Sequence, residues 1–151
     1  MEEKLFDCPR GVREEILAVL GEALAARPEV VFAYAYGSFL EDRPFHDIDV
    51  GVYVKAAEQA WAGSLALDLG MAVESALVTS SRGGEQRRFP VDVRVLNWAP
   101  VSFCYHVLQG RLLFSRAEDV RVRWAERVLS RYLDLKPLRH RALKEAMTSW
   151  E

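Results

Sequence analysis

The sequence predicts an α/β domain with a helical tail. Its apolar pattern switches repeatedly between a helical period and a strand period along 151 residues. The resulting order is α-β-β-α-β-α-β-α-α, with no internal repeat, low-complexity tract or obvious linker. Residues 11–115 are expected to form the core and 116–151 a C-terminal helical extension.

Each element has its own signal. Val12, Ile16, Val19, Leu20 and Leu24 recur at helical spacing, which predicts a helix from Gly11 to Arg27, closed by Pro28. The β-branched and aromatic run "EVVFAYAYG" predicts a strand ending at Gly37, and the polar connector Phe39–His46 leads to a second strand, Asp47–Val54. Trp61, Leu65, Leu69, Val73 and Leu77 fall every four residues and mark one face of a long helix. The loop "SSRGGEQRR" ends it, with a Gly pair that favours mobility. "FPVDVRVLN" is a third strand, with Val91, Val93 and Val95 facing the core and Asp92 and Arg94 facing away. Pro100 opens a helix through Leu108, and "RLLF" after Gly110 makes a brief fourth strand. Two helices, about 117–133 and 137–147, are expected to finish the chain, separated at Pro137.

Composition narrows the function classes. Half the residues are apolar and 28% charged, which is globular composition. A net charge of −2 argues against a general nucleic-acid binder. Cys8 and Cys104 are far apart and form no metal-like pattern, which suits a reduced, cytoplasmic protein. The first residues, "MEEKLFDCPRGVREE", have no signal-peptide pattern, and the apolar run 60–80 is interrupted by Asp68 and Glu74, so no membrane span is expected.

The stretch "YAYGSFLEDRPFHDIDVGVYV" carries the chemistry. Strand alternation puts Asp47, Asp49 and Gly51 on one face and Ile48, Val50 and Val52 on the other. Two neighbouring carboxylates repel each other and lose hydration when partly buried. A divalent cation relieves both penalties, and Mg²⁺ favours one or two carboxylates together with phosphate oxygens. Asp92 completes a three-carboxylate set if its strand lies next to that of Asp49. Such a set can hold metals that clamp the attacking and leaving oxygens of phosphoryl chemistry. Gly37 lets backbone approach a phosphate, and Ser38 adds a hydroxyl donor.

Taken singly, each feature has a plainer reading. A DxD pair can be a solvated strand end, Gly37-Ser38 a turn, and Asp92 the ion-pair partner of Arg94 or Arg88. Arg94 equally suits a triphosphate or an ion pair with Asp47 or Asp49. His46 reads as a strand-start residue, and His106 and His140 as structural or exposed. Arg121, Arg123, Arg127 and Arg131 are mostly spaced by about one helical turn, as a solvated stripe or a face for a partner. Trp61, Trp98, Trp124 and Trp150 read as core or edge residues.

In order, strand–GS–connector–DxD–helix–strand with a central Asp resembles the minimal nucleotidyltransferase (MNT) branch of the DNA polymerase β-like superfamily. The segment from "VDVRVLNWAPVSFCYHVLQGRLLFSRAEDV" through "YLDLKP" is similar to the second half of MntA-type antitoxins of HEPN/MNT toxin–antitoxin systems. The resemblance runs from about Gly11 to Ala146. It implies a polymerase β-like fold, a small mixed sheet flanked by helices. It implies nucleotide binding at Gly37 and Ser38, and Mg²⁺ at Asp47, Asp49 and Asp92, the last as ligand or general base. It implies transfer of AMP from ATP to a tyrosine of a partner HEPN ribonuclease toxin, with no direct nucleic acid or membrane partner. Where the family usually has about ten residues between GS and DxD, this chain has eight, "FLEDRPFH", and Arg43 stands in for the family's arginine. Binding-only neutralisation of a partner and transfer to a small molecule are the alternatives on the same fold.

Overall fold

The computed structural model describes residues 4–55, 58–84 and 86–148. Trp150 lies outside the described residues. The elements are α1 (Arg10–Ala25), β1 (Val30–Tyr36), a 3₁₀ turn (Ser38–Leu40), β2 (Ile48–Val54) and a second 3₁₀ turn (Gln59–Trp61). They continue with α2 (Ala62–Ser80), β3 (Val91–Val95), α3 (Val101–Leu108), β4 (Arg111–Ser115) and α4 (Glu118–Thr148).

The strands form one mixed sheet in the order β3-β2-β1-β4. β1 is antiparallel to β2 and β4, while β2 and β3 are parallel and joined through α2. Strand β1 lies centrally and is buried at all seven positions, which is why its sequence is a near-continuous apolar run. Gly110 lets β4 lie against it: a Cβ there would come within 2.2 Å of the Ala35 carbonyl oxygen.

Both faces of the sheet are covered. Ala33, Ala35, Ile48, Val50, Val52, Val91 and Val93 pack with Ile16, Leu17, Leu20 and Leu24 of α1 and Leu69, Val73 and Leu77 of α2. On the opposite face Phe32, Tyr34 and Tyr36 pack with Leu96, Cys104 and Val107 around α3 and with Trp124 and Val128 of α4. α2 and its preceding turn are long and apolar enough to cross a membrane by length and composition. Here α2 packs on α1 and β3, Asp68 meets Arg27 at 3.3 Å, and Glu74 accepts the Val91 N–H at 2.8 Å. β3 and β4 are the two edge strands of the sheet.

Three expectations need correction. The two C-terminal helices are one: α4 runs unbroken through Pro137. Proline removes one backbone donor, but all of 133–148 is exposed, so water can reach the carbonyl left behind at Leu133. α4 also begins as part of the body, with Trp124 and Val128 buried. Finally, Trp61 is 68% exposed in the 3₁₀ turn ahead of α2, where the helical spacing had placed it on the packed face.

Candidate active site

Sheet register assembles the site. Tyr36 at the end of β1 lies opposite Asp49 of β2, and Asp49 opposite Asp92 of β3. Residues opposite one another share a face, so one row of the sheet carries Tyr36, Asp49 and Asp92. Asp47 is two residues before Asp49 and joins the same face. Asp47, Asp49 and Asp92 each offer a carboxylate oxygen, and these oxygens all lie within 4.8 Å of one another. That spacing fits a hard cation with bonds of about 2.0–2.1 Å after small side-chain rotations.

The electrostatics agree. Burial pushes the Asp49 carboxyl up to about 6, and the neighbouring charges of Asp47 and Asp92 add to the shift, with Arg94 opposing it. Burial and then the Asp49 charge likewise push the Tyr36 hydroxyl above its ordinary range. Three partly buried carboxylates gathered around one cationic side chain form a site short of positive charge. The three residues can hold a divalent metal.

Gly37 makes the arrangement sterically possible. Its φ of 87° is open to glycine and strained for other residues. A Cβ there would also lie 2.5 Å from Asp49 Oδ2. The turn at Ser38–Leu40 follows at once, closed by the Leu40 N–H donating to the Gly37 carbonyl at 3.2 Å. The N–H groups of Ser38 and Phe39 lead that turn, directly after Gly37.

Other candidates fall in different places. Arg94 donates from Nε to Asp92 Oδ2 at 3.2 Å and lies over the Phe103 ring, so the cation beside the triad comes from β3. Arg43 pairs with Glu41 within the connector, on side chains more than half exposed. His46 approaches the Lys4 carbonyl through Nδ1 at 3.2 Å. The His106 ring meets Tyr36 edge-on at 5.6 Å, and His140 is exposed on α4.

Two supporting residues were missed by sequence reasoning. Arg13 is 5% exposed and uses all five of its N–H groups. Nε donates to the Cys8 carbonyl, Nη1 to those of Phe39 and Glu41, and Nη2 to the Arg43 carbonyl and Asp7 Oδ1, at 2.7–3.0 Å. Its guanidinium also lies over the Phe39 and Phe45 rings. The short connector is thereby wrapped around one buried cation. The signal was present: Arg13 falls on the buried stripe with Ile16, Leu17, Leu20 and Leu24. Tyr36 was the other omission, signalled by the alternation Phe32, Tyr34, Tyr36 running down one face of β1.

The family profile described as polymerase beta, nucleotidyltransferase matches residues 19–119, two thirds of the chain. The chain belongs to the polymerase β nucleotidyltransferase family. No curated protein sequence matches this nucleotidyltransferase. Among solved structures, one similar to it is a tri-AMPylated Shewanella oneidensis HEPN toxin in complex with MNT antitoxin. There the identity is 20% and the TM-score 0.60, over 89% of this chain and 98% of that one. A toxin–antitoxin structure with AMP-PNP is 22% identical with a TM-score of 0.58, over the same shares of each chain. An MntA-HpeT toxin–antitoxin mutant is 20% identical with a TM-score of 0.58, again over 89% and 98%. These likenesses establish the fold of the nucleotidyltransferase over nearly its whole length.

Proposed function

We propose that this nucleotidyltransferase is a Mg²⁺-dependent antitoxin that transfers AMP from ATP to a tyrosine of a HEPN-domain toxin and so silences it. One observation carries the reading: three carboxylates from the paired strands β2 and β3 converge within 4.8 Å beside the Gly37-Ser38 turn. The partner assignment draws on the fold shared with MNT antitoxins solved with HEPN toxins.

Asp47 and Asp49 hold the metal, with Asp92 as third ligand or general base. Bound Mg²⁺ would polarise the α-phosphate and offset charge on the departing pyrophosphate. The Ser38 and Phe39 N–H groups and the Ser38 hydroxyl receive phosphate oxygens, and Gly37 lets them approach. Arg94 supplies a positive charge beside the triad, with Arg43 as the connector's contribution when its pair with Glu41 opens. The acceptor oxygen attacks the α-phosphorus, the bond to the β-phosphate oxygen breaks, and pyrophosphate leaves. Asp92 accepts the acceptor's hydroxyl proton.

Purified protein, Mg²⁺-ATP and the cognate HEPN protein should yield a toxin heavier by whole AMP units, measured by intact mass. EDTA or Asp47→Asn/Asp49→Asn should abolish the increase, and an unchanged toxin mass with wild type overturns the catalytic reading. Pairing of Arg43 with Glu41 favours a second reading, neutralisation by binding alone. In that case Asp49→Ala still protects cells from the toxin.

A further inference from the structure

α4 parts from the body after Tyr132, whose ring stacks on Tyr105 of α3 at 3.7 Å. Every residue from Leu133 to Thr148 is exposed. This half of the helix is nevertheless rich in leucine: Leu133, Leu138 and Leu143 are 57–62% exposed, and Leu135 is 40% exposed. At about 100° per residue, Leu135, Leu138 and Ala142 continue the stripe that buries Trp124 and Val128 in the body. The face that enters the core therefore runs on without cover. Leu129, Leu133, Leu143 and Met147 form a second apolar line, roughly 80–160° round the helix.

Charge follows the same helix. Arg121 pairs with Glu118 and Arg123 with Asp119, so these two cations are neutralised on α4 itself. Arg127 and Arg131, one and two turns further on, have no carboxylate partner among the described residues. They border a cavity of about 290 Å³ walled by Tyr53, Asn97, Cys104 and Trp124. From 127 to 148 the cations are Arg127, Arg131, Lys136, Arg139, Arg141 and Lys144, and the anions are Asp134 and Glu145. That segment is strongly positive in a chain whose total charge is −2.

We infer that the distal half of α4 docks into an apolar groove, rimmed by carboxylates, on the protein that this enzyme modifies. The inference rests on the proposed function and names the surface that recruits the partner. Charge selects the occupant, because two copies of α4 would bring like-charged segments together, whereas an acidic rim pairs with Arg127 and Arg131. Apolar side chains on two lines suit a groove with two walls. A bilayer surface buries a single face of a helix. Docking there also tethers the acceptor near the carboxylates and raises its effective concentration. α3 connects the two regions, with Tyr105 stacked on α4 while Phe103 and His106 pack on Tyr36.

The test compares wild type, Leu135→Glu/Leu138→Glu and Arg127→Glu/Arg131→Glu as full chains. Calorimetry measures affinity for the cognate HEPN protein, Mg²⁺-ATP binding is the control, and melting temperature reports folding. Wild type should bind the HEPN protein. The leucine variant should lose about 100-fold or more in affinity, as expected for central apolar anchors. The arginine variant should weaken binding and flatten its salt dependence, with nucleotide binding intact in both. Equal HEPN affinity in all three proteins overturns the docking surface and leaves the proposed function standing. If wild type does not bind the HEPN protein, the partner reading fails, and this inference with it. A wild-type dimer that the leucine variant dissociates, or leucine-dependent capture by phosphatidylserine vesicles, overturns it in favour of a second copy or a membrane.

Discussion

Asp49 lies where three demands conflict. The strand alternation needs a residue there, the core beneath it withdraws water, and Asp47 and Asp92 surround it with like charge. Its carboxyl is consequently raised from 3.8 to about 6. For an acid raised on folding, the associated stability is fully present below about pH 4, where both folded and unfolded forms hold the proton. It is lost as pH rises through about 6, because the native state then bears an anion that the unfolded chain accommodates more easily. In EDTA, Asp49→Asn should therefore be more stable than wild type at pH 7, by about 1 kcal/mol after allowing for solvent screening. The advantage should vanish by pH 4. Urea titrations at pH 4, 5, 6 and 7 check this, and a difference independent of pH would show that Asp49 does not carry the burden.

At the scale of elements, the connector and α4 depend on different kinds of support. The connector is held by Arg13, whose donors satisfy the carbonyls of Phe39, Glu41 and Arg43. Arg13→Met keeps the bulk and removes the donors. It should cost about 3 kcal/mol in chemical denaturation, as several side-chain bonds to backbone are lost together. It should also weaken ATP binding, because Gly37 and Ser38 are continuous with the released segment. Unchanged stability would mean that water replaces the guanidinium. α4 presents the opposite case: Pro137→Ala should raise hydrogen-exchange protection around 133–141, by up to about 3 kcal/mol in local helix propensity. The melting temperature of the body should stay within a degree or so, because every residue from 133 to 148 is exposed. A large shift in melting would show that the distal helix is coupled to the core.

These contrasts explain what the sequence could reveal. Asp47 and Asp49 were legible because a period of two, set by Ile48, Val50 and Val52, fixes their face. Asp92 was legible only conditionally, since nothing in "FPVDVRVLN" says which strand it joins. Arg13 could be placed on the buried stripe of α1, but not its role, because its partners are mostly carbonyls, which every residue has. Pro137 misled because the rule against proline inside a helix presumes a carbonyl that water cannot reach, and here solvent surrounds it.

Across the whole molecule, charge is segregated. Three carboxylates meet at one end of the β2–β3 pair, while the basic segment lies on distal α4. Folding alone leaves the acidic end strained, and a divalent ion bound only by the native state would return that energy to the whole molecule. Mg²⁺ at about 100 times its dissociation constant should stabilise the protein by about 2.7 kcal/mol. For a chain of this size that corresponds to a rise in melting temperature of roughly 5–10 °C. Asp47→Asn/Asp49→Asn should be more stable than wild type without metal and should gain nothing from Mg²⁺. At pH 5 the wild-type gain should shrink, because the proton held by Asp49 competes with the ion. Calorimetric melts with and without Mg²⁺ at pH 5 and 7.5 separate the cases. An equal Mg²⁺ shift in the double variant would place the ion elsewhere and remove the triad from the chemistry.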